Sequence, residues 1–273
     1  MIKINRPMGD TKLQKQRKLM SLMAPLAWSL LAIFSANLSE AGDDPVFKTK
    51  DVILVHGAWA DGSSWSKVIP LLERRGFHIT AVQLPLTSVA EDLATVNRAI
   101  ELEPGPLLLV GHSYAGIVIT EAGNDPKVSG LVYISAFAPD TGQSVSSLNA
   151  LVPKTPVMSE ISFNAGFLSL TNEGIRADFA QDLPDAEKQT LAVTQGPIAE
   201  VAFGTPATAP AWHTKPSWYM VASEDRVISP QLEAMMAKTI NAETTTVHSS
   251  HVIMLSRPEA VADFITRAAQ GRD

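Results

Sequence analysis

The feature that most constrains this chain is an apolar run, 106–110, that leads into Gly-His-Ser-Tyr-Ala-Gly at 111–116. The run predicts a buried strand, and the apolar residues over 114–122 have helical spacing. A strand that turns sharply into a helix at a Gly-x-Ser-x-small sequence strains the serine backbone and lifts its hydroxyl above the sheet. The helix N-terminus behind it offers N–H groups to a developing oxyanion. Ser113 is therefore the candidate nucleophile.

The segment departs from the strict motif at one position, because Ala115 stands where glycine is usual and Gly116 follows it. Alanine is still small enough for neighbouring backbone to pass close by. A dinucleotide-binding fingerprint is excluded, since Ser113 occupies the place of the second glycine in Gly-x-Gly-x-x-Gly. Glycine and serine are common residues, so a chance match stays open on this segment alone. The interpretation depends on partners elsewhere in the chain.

A second element of such a site follows the first predicted strand, where His-Gly-Ala-Trp occupies 56–59. In a serine hydrolase the loop at this place supplies one N–H of the oxyanion hole, and the residue after the nucleophile supplies the other. The backbone N–H groups of Ala58 and Tyr114 are the candidates. The alternative is a tight turn in which Gly57 only relieves crowding.

An acid and a base are expected after the serine, in the order serine, acid, histidine. Glu224 and Asp225 follow a predicted strand at 218–222, and we favour Asp225 because the turn before the next helix would aim it inward. Glu224 is interpreted as a solvated acid, and Asp140 is a fallback. His251 lies in the loop between the last strand and the last helix, where a base belongs.

His248 and His251 also have the spacing of a His-x-x-His metal pair. No third ligand of suitable spacing accompanies them, and His248 still falls within a strand pattern, so we expect neither a metal nor an organic cofactor. The remaining histidines have no partner that the sequence reveals: His56, His78, His112 and His213.

Apolar strands alternate with helices over 42–140 and 215–273, which predicts an α/β core with a mainly parallel six-stranded sheet and helices on both faces. The segment 141–214 breaks this rhythm, with its clearest helical pattern near 185–203. We interpret it as a helical cap inserted over the carboxyl edge of the sheet, where open α/β folds bind ligands. Candidate pocket residues, each with ordinary core packing as the alternative, are Trp59, Met158, Phe163, Phe167, Trp212 and Val252.

The first 41 residues have the three parts of a secretory signal peptide. A basic stretch at 12–18 precedes an uncharged apolar run at 19–34, and Ser-Glu-Ala at 39–41 offers a cleavage site after Ala41. We therefore expect export to the periplasm or medium, with no stable membrane association after cleavage. The alternative is an uncleaved membrane anchor, although the run is short for a spanning helix and contains Pro25.

The composition excludes several classes of protein. The chain has no cysteine, so disulfides, thiolate nucleophiles, thiolate metal sites and lipoprotein anchoring are excluded. The net charge of −6 argues against nucleic acid as a partner, because phosphates require a basic face. With 45% hydrophobic and 18% charged residues, the chain can bury a sizeable core.

Taken together, these segments resemble the α/β-hydrolase superfamily, and more narrowly the small carboxylesterases related to plant methyl esterases and hydroxynitrile lyases. The resemblance covers about 50–270 and rests on the motifs at 56–59, 111–116, 136–140, 224–225 and 250–251. It implies that Ser113 is the nucleophile, His251 the general base and acid, and Asp225 its orienting partner. The lyases of this group have a lysine after the histidine, whereas this chain has Val252, which argues for ester hydrolysis.

The expected partner is a small-molecule carboxylic ester. Between 141 and 214 the predicted cap has three basic and seven acidic residues, which favours neutral, apolar substrates over polyanions. A lactonase, amidase, perhydrolase or lyase with the same triad is the alternative among enzymes. A non-catalytic binding protein on this scaffold is the alternative outside them, although the serine, acid and histidine are all present.

Overall fold

The computed structural model describes residues 47–271, and the core of this part is a six-stranded parallel sheet. The strands are β1 Asp51–Val55, β2 His78–Ala81, β3 Leu107–Ser113, β4 Val128–Ala136, β5 Ile161–Asn164, β6 Phe167–Leu170, β7 Ile198–Ala199, β8 Ser217–Ala222 and β9 Glu243–Val247. The large sheet has the strand order β2-β1-β3-β4-β8-β9, and β5, β6 and β7 form a small antiparallel sheet.

The central strands of the large sheet are buried on both faces. Every residue of β1, β3 and β8 is buried, whereas β2 and β9 at the two edges are half-buried or exposed. Such continuous apolar strands are stable only when helices cover both faces of a parallel sheet. The prediction of a mainly parallel six-stranded sheet is confirmed.

Helices connect the strands and cover the sheet. The helices are α1 Ile69–Glu73, α2 Val89–Leu102, α3 Ala115–Ala122, α4 Val145–Asn149, α5 Asn172–Gly174, α6 Asp185–Thr194, α7 Glu200–Gly204, α8 Pro230–Thr239, α9 Ile253–Ser256 and α10 Pro258–Gln270. The amphipathic helix α10 packs its apolar face on the core, and Arg75 donates to Asp263 at 2.6 Å on its outer side.

Two elements are shorter than the sequence pattern predicts. The spacing of apolar residues over 64–75 predicts one helix, but the structure has a short turn, Gly62–Trp65, followed by α1, which has Pro70 in its first turn, where proline is tolerated. The apolar pattern over 77–84 predicts a strand, but β2 ends at Ala81. Leu84 instead donates its N–H to His56 Nε2 at 2.9 Å, so this backbone leaves the sheet ladder.

The segment 141–214 contains a three-stranded antiparallel sheet that its sequence pattern had not predicted. The helical pattern near 185–203 corresponds to α6 and α7, separated by the short strand β7. Gly196 and Pro197 stand at this break, because the residue before a proline disfavours helical backbone.

Residues 1–46 lie outside the described part of the chain, and so does the predicted signal peptide with its cleavage site after Ala41. Within residues 47–271, no helix is both long enough and apolar enough to cross a membrane.

Candidate active site

Ser113 is the last residue of β3 and directly precedes Tyr114, which begins the turn into α3. Its φ of 55° lies in the left-handed region that residues other than glycine rarely adopt. The Phe137 N–H donates to the Ser113 carbonyl at 3.1 Å, which ties this turn to the end of β4. Strain of this kind persists only where the surrounding structure enforces it, and it is concentrated at functional sites.

Two glycines allow this turn to pack against its neighbours. A Cβ atom on Gly116 would lie 1.9 Å from the Phe137 carbonyl oxygen. A Cβ atom on Gly57 would lie 2.6 Å from the Ser113 Cβ and 2.9 Å from the His112 carbonyl oxygen. Both contacts are far below van der Waals separation, so neither position accepts a side chain without displacement of the backbone that carries Ser113.

His251 and Asp225 form a buried pair beside this turn. Nδ1 of His251 lies 2.5 Å from Oδ2 of Asp225, and both side chains are completely buried. The other Asp225 oxygen, Oδ1, accepts the N–H groups of Val227 and Ile228 at 2.6 and 2.9 Å. The carboxylate therefore holds the proton of His251 on Nδ1 and leaves Nε2 as a free acceptor.

His112, the residue before Ser113 in β3, contacts His251. Nε2 of His112 donates to the His251 carbonyl at 3.0 Å, and the two rings are 4.6 Å apart. Within the described residues Nε2 of His251 is buried and makes no hydrogen bond, so it is not bonded to the Ser113 hydroxyl in this conformation. Catalytic hydrogen bonds of this type are often formed only when substrate is bound.

The alternative acids lie elsewhere. Asp140 pairs with His213 at 2.9 Å on the surface, and this hydrogen bond lowers the pKa of its carboxyl. Glu224 faces His248 at 3.4 Å, with both side chains largely exposed. Of the candidate acids, only Asp225 contacts His251.

His248 and His251 point in different directions, so they do not form a metal pair. His248 faces solvent and Glu224, whereas His251 is buried against Asp225. Across residues 47–271, no group of three or more His, Asp or Glu side chains is arranged to hold a metal ion.

A cavity of about 620 Å³ opens above Ser113. Ala58 and Tyr114, whose N–H groups are the candidates for an oxyanion hole, line it beside the serine. Most of its wall is apolar, and the charged residues that line it, Lys154 and Glu200, are exposed. Such a cavity is suited to an uncharged ligand with one reactive polar group.

The candidate pocket residues divide into two groups. Trp59 and Met158 line the cavity, whereas Phe163, Phe167, Trp212 and Val252 do not. Phe167 precedes Leu168, which does line it, and successive residues of a strand point to opposite faces.

The other three residues have different surroundings. Phe163 is 61% exposed on β5. Trp212 stacks on His213 and donates its Nε1–H to the Pro139 carbonyl, and Val252 is buried in the core.

Buried histidines that the sequence left without partners support the serine turn. Nε2 of His56 accepts the Leu84 N–H, so Nδ1 donates to the Gly57 carbonyl at 2.9 Å and steadies that loop. Burial lowers the pKa of His56, and burial together with nearby His251 holds the pKa of His112 well below its ordinary value. Both rings are therefore neutral supports at neutral pH.

Sequence reasoning missed two buried acids. Asp92 on α2 accepts the Tyr114 hydroxyl at 2.7 Å and the Leu86 N–H at 2.8 Å, and burial raises its pKa. Glu233 on α8 lies behind Asp225 and is fully buried. The sequence signal for both residues was an acidic residue at a position on the inward-facing side of an amphipathic helix.

Comparison with known proteins agrees with this architecture. The model of a family described as "Alpha/beta hydrolase family" matches residues 52–264. A pyrethroid hydrolase of Sphingobium wenxiniae is 29% identical over 81% of this chain and 90% of its own. Methylesterase 2 of Arabidopsis thaliana is 24% identical over 80% and 95%.

Solved structures extend the agreement to the fold. The crystal structure of a pyrethroid hydrolase from Sphingobium faniae JZ-2 superposes with a TM-score of 0.70 at 24% identity. That alignment covers 81% of this chain and 98% of the other. The match to the family model spans most of the chain and includes the serine turn, the acid and the histidine. The chain belongs to the α/β-hydrolase family and is related to the plant methylesterases.

Proposed function

We propose that this hydrolase is a serine esterase that cleaves carboxylic esters of small, neutral, apolar compounds through an acyl-enzyme. The observation that carries the proposal is the buried His251–Asp225 pair beside the turn of Ser113. Ser113 itself has strained backbone and lines an apolar cavity. A nucleophile, a base and an acid that orients the base are the minimum set for acyl transfer by a serine.

In the proposed first step, His251 Nε2 takes the proton of Ser113 as Oγ attacks the ester carbonyl. Nε2 of His251 makes no hydrogen bond within the described residues, so its hydrogen bond to Oγ must form before the proton is transferred. The N–H groups of Ala58 and Tyr114 stabilise the tetrahedral oxyanion. Asp225 keeps the imidazole proton on Nδ1 and stabilises the imidazolium.

The intermediate then collapses in the usual direction of acyl transfer. The carbon–oxygen bond to the leaving alcohol breaks, and the alkoxide takes the proton from His251 Nε2. A water molecule attacks the acyl-enzyme with His251 again as base, and the carboxylic acid leaves from Ser113. Every proton is accounted for by one imidazole and one water, so the proposed steps require no cofactor.

The proposed substrate class rests on the cavity and on the relatives. The lining is mainly apolar, and Trp59 and Phe203 meet edge to face at 5.9 Å on one side of it. Its volume of about 620 Å³ lies in the range that encloses a compact organic ligand. Two relatives are named pyrethroid hydrolase and methylesterase, and the second name states ester cleavage.

A matched pair of serine substitutions tests the proposal. Ser113→Ala should lower kcat on a short-chain aryl ester by about 10⁶, as removal of a nucleophile does in other triads. Ser129→Ala, at the opposite end of β4 from the site, removes a hydrogen bond to the Leu107 carbonyl and should leave kcat within about twofold. Activity of the Ser113 variant within tenfold of the wild type would reject the triad.

Export is a separate part of the proposal, and it concerns residues outside the described part of the chain. The basic, apolar and small-residue segments of 1–41 support cleavage after Ala41. Intact mass of protein recovered outside the cytoplasm should correspond to a chain that begins at Gly42. A mass that retains residues 1–41 would favour the uncleaved anchor.

A further inference from the structure

Glu233 is a buried carboxyl group to which the proposed mechanism gives no role. It lies on α8 with no solvent exposure, directly behind the loop that carries Asp225. Oε2 accepts the N–H of Ala222, the last residue of β8, at 3.1 Å. Oε1 is also buried, and no described residue donates a hydrogen bond to it. A carboxylate in this position would leave one oxygen unsatisfied in the core.

The neighbour of Glu233 is the proposed triad acid. Both residues are bonded to Ala222, whose N–H donates to Glu233 Oε2 and whose carbonyl accepts the Asp225 N–H at 3.3 Å, and the nearby Asp225 charge helps to raise the pKa of Glu233. Two ionised carboxylates close together inside a protein repel strongly, so such a pair retains a proton. The question is which of the two residues carries it.

The hydrogen bonds around the two carboxyl groups place that proton on Glu233. The oxygens of Asp225 already accept three hydrogen bonds, from two backbone N–H groups and from His251 Nδ1. Asp225 therefore acts as the hydrogen-bond acceptor of this site. Glu233 receives one backbone N–H, and its second oxygen becomes satisfied once it donates a proton. Burial, followed by the charge of Asp225, raises the pKa of Glu233 well above its ordinary value.

We propose that Glu233 is a positioning residue: a neutral carboxylic acid that donates a hydrogen bond to the Asp225 carboxylate and anchors it to the end of β8. The inference rests on the proposed function, because Asp225 matters only if it orients His251. In this arrangement α8 sets the position of the triad acid, and the two carboxyl groups together carry a single negative charge.

Two other titratable groups bear on this pair. Tyr219 of β8 lies close to both carboxyl groups, but its hydroxyl donates to the Ala136 carbonyl at 2.5 Å and stays neutral because burial raises its pKa. His251 contacts the pair through Asp225. The charge that His251 experiences from behind Asp225 is therefore determined by the protonation of Glu233.

Substitution of Glu233 by glutamine distinguishes a neutral from an ionised carboxyl group at this position. Glutamine cannot ionise, yet its amide can donate to Asp225 while its carbonyl accepts the Ala222 N–H. If Glu233 is neutral, Glu233→Gln leaves the charge beside His251 unchanged. If Glu233 is ionised, the same substitution removes a negative charge and lowers the pKa of His251.

The experiment measures kcat and KM for hydrolysis of an uncharged ester as a function of pH. It compares the wild type with Glu233→Gln, Glu233→Ala and Leu232→Ala. Leu232 is the matched control, because it is equally buried on α8 but carries no charge or hydrogen bond. We expect Glu233→Gln to keep the acid limb of kcat/KM within about 0.3 pH unit of the wild type. Glu233→Ala should lower kcat about tenfold or more with little change in KM, whereas Leu232→Ala lowers only thermal stability.

Two results would overturn the inference. One is a downward shift of the acid limb by about one pH unit in Glu233→Gln, which requires an ionised glutamate. The other is wild-type kcat in a folded Glu233→Ala variant, which requires that Asp225 is positioned without it.

A second readout keeps the inference separate from the proposed function. The infrared spectrum of the wild type at neutral pH should contain a carboxylic-acid C=O stretch that Glu233→Gln lacks. Identical spectra would refute the neutral glutamate even if esterase activity is established. Retained activity in Ser113→Ala would reject the proposed function whatever the spectra show.

Discussion

Gly116→Ala is the substitution that most directly tests how the serine turn is built. The added Cβ would lie 1.9 Å from the Phe137 carbonyl oxygen and 2.8 Å from both the carbonyl carbon and the nitrogen of that residue. Ordinary Cβ contacts begin at 3.4 Å, so the two segments must separate by more than an ångström. The obstacle is backbone, which cannot rotate aside as a side chain does.

The loss of stability and activity follows from the contacts that this movement disrupts. Phe137 donates its N–H to the Ser113 carbonyl, so displacement of Phe137 loosens the turn that holds Ser113, the proposed nucleophile. Overpacking of a rigid site costs about 3 kcal/mol or somewhat more. For a domain of this size, that corresponds to a fall in Tm of about 6–12 °C. A misplaced nucleophile should lower kcat about a hundredfold as well.

Urea unfolding and ester hydrolysis measured on the same preparation provide the assay. Gly204→Ala is the control, because a Cβ atom there meets nothing within 4 Å. That variant should unfold within about 0.5 kcal/mol of the wild type and keep its kcat. A Gly116→Ala protein with wild-type stability and activity would refute the close packing of α3 against the end of β4.

Two further predictions concern the carboxyl groups behind His251. Asp225→Asn keeps the oxygen that accepts the Val227 and Ile228 N–H groups but presents an amide to His251, which favours the wrong imidazole tautomer. We expect kcat to fall about 10⁴-fold. A fall of less than tenfold would contradict the role proposed for Asp225. Glu233→Gln should become more stable relative to the wild type as the pH rises above about 4.3. Above that pH, folded wild-type protein must bind a proton that the unfolded chain has released from Glu233, and this costs stability that glutamine does not lose. A Tm difference that stays constant with pH would contradict it.

The parts of the candidate site that could be predicted from the sequence are those that depend on local motifs. The strand, turn and helix around Ser113 form one continuous segment, so a short window contains all the information needed. Asp225 could be preferred over Glu224 because the turn that aims it inward is also local, and the structure directs Asp225 towards His251 and Glu224 towards solvent. His251 was marked by its place after the last strand.

The remaining parts depend on contacts between distant segments. Glu233 is a surface-type residue by composition, and only the packing of α8 against the end of β8 buries it beside Asp225. Phe167 and Leu168 are equally apolar neighbours, and only the pairing of β6 in the small sheet determines which of them faces the cavity. That sheet itself is formed by three short strands whose pairing the sequence does not specify locally.

The most direct test of the central claim is the intact mass of the purified protein before and after treatment with a fluorophosphonate, with peptide mapping of the adduct. An activated serine forms a covalent bond to phosphorus and displaces fluoride, whereas ordinary serines do not react. We expect one adduct per chain, located on Ser113 and absent from Ser113→Ala. A folded, ester-hydrolysing protein with no adduct, or with its adduct on another residue, would contradict it.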